Sequence, residues 1–170
     1  MPENQTQDAI ALLKADHRAV EDLFSQFEKA SGDGKKQKLA LQICTELTVH
    51  AKIEEEIFYP ACEGKIDEDL LKEAYVEHDG AKVLIAEIEA GEPSDEYYDA
   101  KVKVLQEQIE HHVKEEEQRM EGMFAQARKA GLDMEALGAE LSARKQLLMA
   151  DIEAGGLPAP ELTTLTETQI

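Results

Sequence analysis

Residues that can ligate a metal ion recur along this chain in two matching sets. Each set is a lone histidine followed, 33 or 34 residues later, by a histidine and a glutamate four positions apart: His17 with His50 and Glu54, then His78 with His112 and Glu116. Positions i and i+4 are neighbours on one face of an α-helix, so each His-Glu pair can point at a common target. The repetition is what an internal duplication would produce.

Four long amphipathic segments would position these residues. Apolar side chains recur at intervals of three and four residues over about 7–30, 36–62, 67–90 and 95–130, and one of the four histidines lies within each apolar stripe. Short breaks containing glycine or proline separate the segments, and no stretch alternates with period two. The sequence therefore predicts an all-α fold, an up-down-up-down four-helix bundle over residues 7–130.

Two further segments follow the predicted bundle. Asp133 is placed to cap an accessory C-terminal helix over 133–153, which we expect to pack across the outside or one end of the bundle. Residues 155–170 contain glycine and proline without helical periodicity, and they are predicted to form a flexible tail. Residues 1–6 are predicted to be frayed.

Taken singly, each of these residues has an ordinary explanation. A histidine on an apolar stripe is more often a packed core residue, and both Glu54 and Glu116 lie in runs of three glutamates that usually mark a solvated face. Together, however, they would place two carboxylates and four imidazoles in one interior, where buried charges must be paired or bound to metal. Imidazole and carboxylate ligands without a thiolate suit iron, manganese or zinc. Two matching sets suggest two ions, held a few ångströms apart by bridging carboxylates.

Composition limits the class of partner. The net charge of −19 should repel nucleic-acid phosphates and anionic membrane surfaces, so neither is expected as a partner. No apolar run approaches the roughly 20 residues that span a bilayer, and the polar N-terminus does not resemble a signal peptide. The two cysteines form no CxxC motif, which favours a reducing compartment. A cytoplasmic protein is the expectation.

The same residues resemble the hemerythrin-like HHE cation-binding family. Besides the two His and His-x-x-x-Glu sets, the local sequences at residues 12–18 and 54–60 and the Glu77-His78-Asp79 triplet look like motifs of that family, over about residues 8–125. The resemblance implies a four-helix bundle around two non-haem iron ions with an oxo or hydroxo bridge. It also implies that each iron takes histidines from one pair of helices and that Glu54 and Glu116 bridge them.

One departure from the animal oxygen carriers of this family affects the expected chemistry. Their third motif has a second histidine four residues after the first, whereas this chain has Lys82 at that place. About two of the roughly twelve positions on two octahedral irons would then stay open. Tyr75, one turn before His78, is a candidate to fill one of them. His111 is turned about 100° from the stripe and is expected at the surface.

These features lead to three functional hypotheses. The first is a di-iron protein that binds O2, NO or peroxide for oxygen binding, sensing or a response to oxidative or nitrosative stress. The second is an enzyme on the same scaffold, either a peroxidase or one that repairs iron centres damaged by NO. The third is an iron-binding interaction protein, with the C-terminal helix as its partner surface or as a homodimer contact. A plain helical bundle without metal is the remaining alternative.

Overall fold

The structure is a computed structural model, and it describes residues 7–166. The prediction of a frayed start at residues 1–6 and the last four residues of the predicted tail lie outside this range. All regular structure within it is helical. The helices, in chain order, are α1 (Ala9–Lys29), α2 (Asp33–Ile53), a π-helical segment (Glu54–Phe58), α3 (Tyr59–Cys62), α4 (Glu68–Ala90), α5 (Tyr98–Glu117), α6 (Met123–Lys129) and α7 (Met134–Gly155).

Helices α1, α2, α4 and α5 form the predicted bundle. α1 packs against α2, α2 against α4, α4 against α5, and α5 against α1, so the four helices enclose one interior. Aspartates at the start of three helices accept hydrogen bonds from backbone N–H groups that lack a partner within the helix: Asp8 for α1, Asp67 for α4 and Asp133 for α7. The all-α bundle predicted from apolar periodicity is confirmed.

Two apolar clusters divide the interior. One contains Leu13, Phe58 and Phe124 and lies towards α3, α6 and α7. The other contains Phe24, Ile43 and Leu105 and lies towards the opposite end. Buried polar and charged side chains come from helix positions between these two clusters. The fold therefore holds a polar layer between two apolar layers that exclude water from it.

The second predicted helix, residues 36–62, contains a π-helical segment. The N–H of Tyr59 bonds to the carbonyl of Glu54, five residues earlier, and α2 thus runs through Glu54–Phe58 into α3 without leaving the helix axis. Such segments are rare and are frequent at functional sites. Here the wider turn buries Glu54, Phe58 and Tyr59 together.

The fourth predicted helix was wrong in its length. Residues 95–130 do not form one helix: α5 ends at Glu117, Gln118 is extended, and α6 begins at Met123. The break is tightly folded, because a Cβ on Gly122 would lie 2.4 Å from the carbonyl oxygen of Gln118. It also turns Met120 into solvent, with 85% of its surface exposed.

The accessory helix α7 packs along α1, α2 and the π-helical segment. It crosses the start of α1 at Gly138, where a Cβ would lie 2.3 Å from the carbonyl oxygen of Gln7, so a side chain there would push the helices apart. The predicted tail begins where α7 ends. Its residues 157–165 have no helix, but they lie against the side of the bundle. Within residues 7–166, no helix is both long and apolar enough to cross a membrane.

Candidate metal centre

All six residues predicted as metal ligands converge in the polar layer. α1 supplies His17, α2 supplies His50, the π-helical segment supplies Glu54, α4 supplies His78, and α5 supplies His112 and Glu116. Each is at most 8% exposed. Their ligand atoms fall into two sets of three, each within 4.8 Å: His17, His50 and Glu116 in one, and Glu54, His78 and His112 in the other.

The imidazoles meet in pairs through their Nε2 atoms. The Nε2 atoms of His17 and His50 are 3.1 Å apart, and those of His78 and His112 are also 3.1 Å apart. Two nitrogens about 2.1 Å from one ion at a right angle would be about 3.0 Å apart. Each pair thus has the spacing of two adjacent positions on a single metal ion.

The two buried glutamates connect these pairs. Glu54 Oε1 lies 3.1 Å from His50 Nε2 and 3.3 Å from His78 Nε2, so it reaches one imidazole of each pair. Glu116 Oε1 lies 2.8 Å from His112 Nε2 and 3.7 Å from His17 Nε2. The two carboxylates therefore lie where bridging ligands between two ions would lie. This is the arrangement that the resemblance implied; their role as ligands remains a prediction.

The outer nitrogen of each imidazole faces a carboxylate. The Nδ1 atoms of three of them lie 2.6–2.9 Å from a carboxylate oxygen and the fourth lies at 3.4 Å: His17 with Glu117, His50 with Asp16, His112 with Glu77, and His78 with Glu55. A carboxylate on Nδ1 keeps the proton there and leaves Nε2 with a free lone pair, as in most histidine metal sites. We call these four residues, Asp16, Glu55, Glu77 and Glu117, the outer carboxylates.

The inner carboxylates support a bound cation. All four oxygens of Glu54 and Glu116 are buried, and none finds a hydrogen-bond donor in suitable geometry among residues 7–166, although imidazole nitrogens lie within ion-pair distance. Buried carboxylates without donors are costly in a packed interior. Carboxylate oxygens and imidazole nitrogens that lie close together without hydrogen-bond geometry are expected when both are directed at the same metal ion. The donor set thus fits a pair of metal cations.

The pKa values of the inward-facing residues also favour a bound cation. Burial and the negative charge of Glu54 raise the pKa of Glu116 to about 7. Burial and the positive charge of His50 lower the pKa of His17 to about 4. Burial opposes the charged form of His50, but Glu54 and Asp16 outweigh it and raise that pKa to about 10. Protons thus partly neutralise the cluster where cations would otherwise do so.

Tyr59 is a site residue that the sequence did not reveal. Its hydroxyl is buried and lies 3.1 Å from His78 Nε2 and 3.2 Å from His112 Nε2. In a regular α-helix Tyr59 would be turned about 140° from Glu54, and the π-helical segment brings it onto the same face. Tyr75, the predicted extra ligand, instead packs edge-on against the Tyr59 ring at 5.2 Å. The phenol directed at the cluster is therefore that of Tyr59.

We call the six inward-facing residues, His17, His50, Glu54, His78, His112 and Glu116, the inner set. The remaining residues singled out by the sequence lie outside it. His111 is exposed, as expected, and joins Glu77 and Glu115 in a surface cluster. Glu56 pairs with Arg144 of α7. Glu54 is fully buried beside the Nε2 atoms, whereas Glu55 faces the outer nitrogen of His78 and Glu56 is exposed, which agrees with the predicted choice among the three. Both cysteines are buried.

A cavity of about 290 Å³ leads to the histidines. All four imidazoles line it, and its walls include Val20, Leu47, Ile85 and Val113. One water occupies about 30 Å³ in the liquid, so the cavity is much larger than a diatomic molecule needs. It gives small, weakly polar molecules a route to the imidazoles.

The family model of the hemerythrin HHE cation binding domain matches residues 8–124, the part that contains all six inward-facing residues. The chain belongs to this family. Cation binding is thus a property of the domain it contains, and the buried His and Glu clusters provide the groups for it.

Two relatives give further comparisons. The structure is similar, with a TM-score of 0.75 and 21% identity, to the crystal structure of a hemerythrin HHE cation binding domain-containing protein from Mycobacterium kansasii, over 89% of this chain and 95% of that one. This likeness supports the fold. The chain is also 32% identical over 106 residues to a protein described as a DNA nickase from a Nostoc species, covering 62% of this chain but 30% of that protein. The chain therefore spans less than a third of the length of that relative.

Proposed function

We propose that this chain is a non-haem di-iron protein that binds O2, NO or peroxide, in oxygen binding, sensing or a response to oxidative or nitrosative stress. The observation that carries the proposal is the position of the two buried carboxylates. Each carboxylate lies near two imidazoles, one from each histidine pair. Ligands shared in this way favour two ions close together over two separate sites. The cavity beside the imidazoles supports a small exogenous ligand.

The protein's own groups would divide the work in three ways. The inner histidines and glutamates would hold the ions. Three of the outer carboxylates, Asp16, Glu77 and Glu117, would keep the rings that they contact oriented with the proton on Nδ1. The apolar layers on both sides would exclude bulk water. When bound, two irons would supply the open coordination positions and the change of oxidation state that O2 or peroxide chemistry requires.

Metal analysis with absorption spectroscopy tests this proposal. Purified protein loaded with iron should contain two irons per chain, and an aerobic sample should show the near-ultraviolet charge-transfer bands of a bridged di-iron centre. A Glu54→Ala variant that stays folded should lose both, whereas Glu56→Ala, which removes a carboxylate outside the inner set, should keep them. One metal per chain, or no such bands in iron-replete protein, would contradict the proposal.

The Tyr59 phenol favours a second candidate function, reduction of peroxide or NO with electrons taken from an external reducing co-substrate. Its hydroxyl is directed at the half of the cluster formed by His78 and His112, and a phenol there can donate a hydrogen bond or a proton to a molecule bound at the site. With an excess of a reducing co-substrate, iron-loaded Tyr59→Phe protein should then turn over hydrogen peroxide more slowly at equal iron content. Tyr75→Phe, on the neighbouring ring, is the matched control and should not. Equal rates in both variants would favour a binding protein.

A further inference from the structure

The segment that follows α7 is tied to one buried carboxylate beside the site. Asp79 of α4 is 0% exposed. Its oxygens accept hydrogen bonds from the backbone N–H groups of Thr163, Thr164 and Leu165 at 2.6–3.1 Å, and from the hydroxyl of Thr164 at 2.7 Å. Three consecutive backbone donors on one carboxylate form a specific anchor, unlike an incidental surface contact. We call residues 157–165 the strap.

Two more side chains fasten the strap. Lys82 donates to the carbonyl oxygen of Glu161 at 2.9 Å and also contacts Asp79 and Glu55. The hydroxyl of Thr163 donates to Glu55 at 2.7 Å, and Glu55 is the outer carboxylate that faces His78. The strap is thus bound to groups that adjoin the metal ligands, although the chain between α7 and these contacts has no helix of its own.

The strap also forms part of the cavity wall. Residues 158–163 line the same cavity as the four imidazoles, together with residues of α1, α2 and α4. Helices of the bundle cannot retreat from the cavity without disrupting two apolar clusters. The strap, by contrast, packs Leu157 at its start against one of these clusters and is held over residues 161–165 by hydrogen bonds to Asp79, Lys82 and Glu55. It is therefore the part of the wall that can move at least cost.

We propose that the strap and its anchor Asp79 set the size of the molecules that reach the metal centre, admitting diatomic molecules and peroxide and excluding larger organic ones. This inference rests on the proposed function for the identity of the admitted ligands. That the strap closes one side of the cavity depends only on contacts within this chain. Asp79 is a positioning residue here, because it acts through the strap.

Cysteine labelling tests the closure without any metal. Ala81 of α4 lines the cavity, and Ala81→Cys would place a thiol on its wall. Val83→Cys on the same helix is the matched control, since Val83 is 43% exposed and is not part of the cavity lining. Cys44 and Cys62 are 0% exposed, so their background reaction should be low. The probes are methyl methanethiolsulfonate and a biotin-bearing methanethiolsulfonate.

We expect the small reagent to label the Ala81→Cys variant readily in the full chain and the bulky one to label it slowly. Two changes to the Ala81→Cys variant should open the cavity: ending the chain after Gly156, or adding Asp79→Asn to the full-length chain. Either change should increase the rate of labelling by the bulky reagent by at least about tenfold, the effect of losing one charge-assisted hydrogen bond. A chain ending after Thr166 keeps every anchoring contact described above and should behave as the full chain. The thiol of the Val83→Cys control should react at similar rates in all these backgrounds.

Two results would overturn the inference: equal labelling of the Ala81→Cys variant by the bulky reagent with and without the strap, or exclusion of the small reagent as strongly as the bulky one. Hydrogen exchange gives a second measurement. The amides of Thr163, Thr164 and Leu165 should be protected in the full chain and should lose that protection in Asp79→Asn, and fast exchange in both would also overturn it. Neither experiment needs metal. The proposal about the strap can therefore be contradicted while the di-iron proposal stands, and the di-iron proposal can be contradicted while the one about the strap stands.

Discussion

Glu116→Gln should stabilise the metal-free protein at alkaline pH. The carboxyl of Glu116 has an ordinary pKa of 4.5, and burial together with the charge of Glu54 raises that pKa to about 7 in the folded state. This difference corresponds to about 3 kcal/mol. The folded state keeps a proton that the unfolded state releases, so wild-type stability is lost as the pH rises from 4.5 to 7, and the loss is complete above pH 7.

Glutamine has nearly the same shape and does not ionise, so the variant escapes this cost. Its free energy of unfolding should exceed that of the wild type by about 3 kcal/mol at pH 8 and should match it at pH 4. Urea denaturation with a chelator present measures both values. Glu107→Gln, an exposed position on the same helix, should change stability by no more than about 0.5 kcal/mol. An equal gain for Glu116→Gln at both pH values, or a loss at pH 8, would refute the reasoning.

Bound metal should reverse which of the two proteins, wild type or Glu116→Gln, is the more stable. A bound cation needs the ionised carboxylate of Glu116, so the group that costs stability in the metal-free protein becomes a source of stability once the ion is present. Saturating iron(II) under anaerobic conditions should therefore raise the melting temperature of the wild type by more than that of Glu116→Gln. An equal gain in both would mean that Glu116 is not a ligand.

Three further predictions concern the same centre. Removing metal with a chelator should lower the melting temperature of the wild type, because the inner carboxylates lose their partner; an unchanged value in calorimetry would argue against an interior metal site. Metal affinity, measured by competition with a chromogenic chelator, should weaken as the pH falls below about 7, where Glu116 takes up its proton; an affinity that does not vary with pH would contradict this. Asp16→Asn should weaken metal binding by about 10- to 100-fold because His50 loses the carboxylate on Nδ1, whereas Asp22→Asn on the same helix should not.

Helical periodicity was enough to predict the inner set. His50 with Glu54, and His112 with Glu116, are four residues apart on helices whose apolar stripes face the interior, so their directions follow from α-helix geometry. The choice of Glu54 within its run of three also followed from the stripe, and the structure buries it completely. Local spacing therefore determines which side chains point inward.

Other parts of the site depend on features that local spacing does not encode. Tyr59 reaches the cluster only because the π-helical segment adds a residue to the turn after Glu54. Glu117 lies next to Glu116 in sequence but contacts His17, 100 residues away on another helix. The strap has no periodic pattern. Asp79 stands in the Glu77-His78-Asp79 triplet, but nothing in the sequence indicates that it anchors the strap. Such contacts become visible only when the packing of the helices is known.

Charge balance around the centre favours a bound cation. Six carboxylates surround the imidazoles, namely Glu54 and Glu116 inside and Asp16, Glu55, Glu77 and Glu117 outside. Within the described part of the chain, three cationic side chains contact this group: Arg18 on Glu117, Lys82 on Glu55 and Lys145 on Asp16. With neutral imidazoles, the cluster therefore lacks about three positive charges, and a buried deficit of that size is costly. One divalent ion would bring the cluster to a net charge of −1 and two would bring it to +1. Charge balance therefore favours a bound cation, and the case for two ions rests on the ligand spacing.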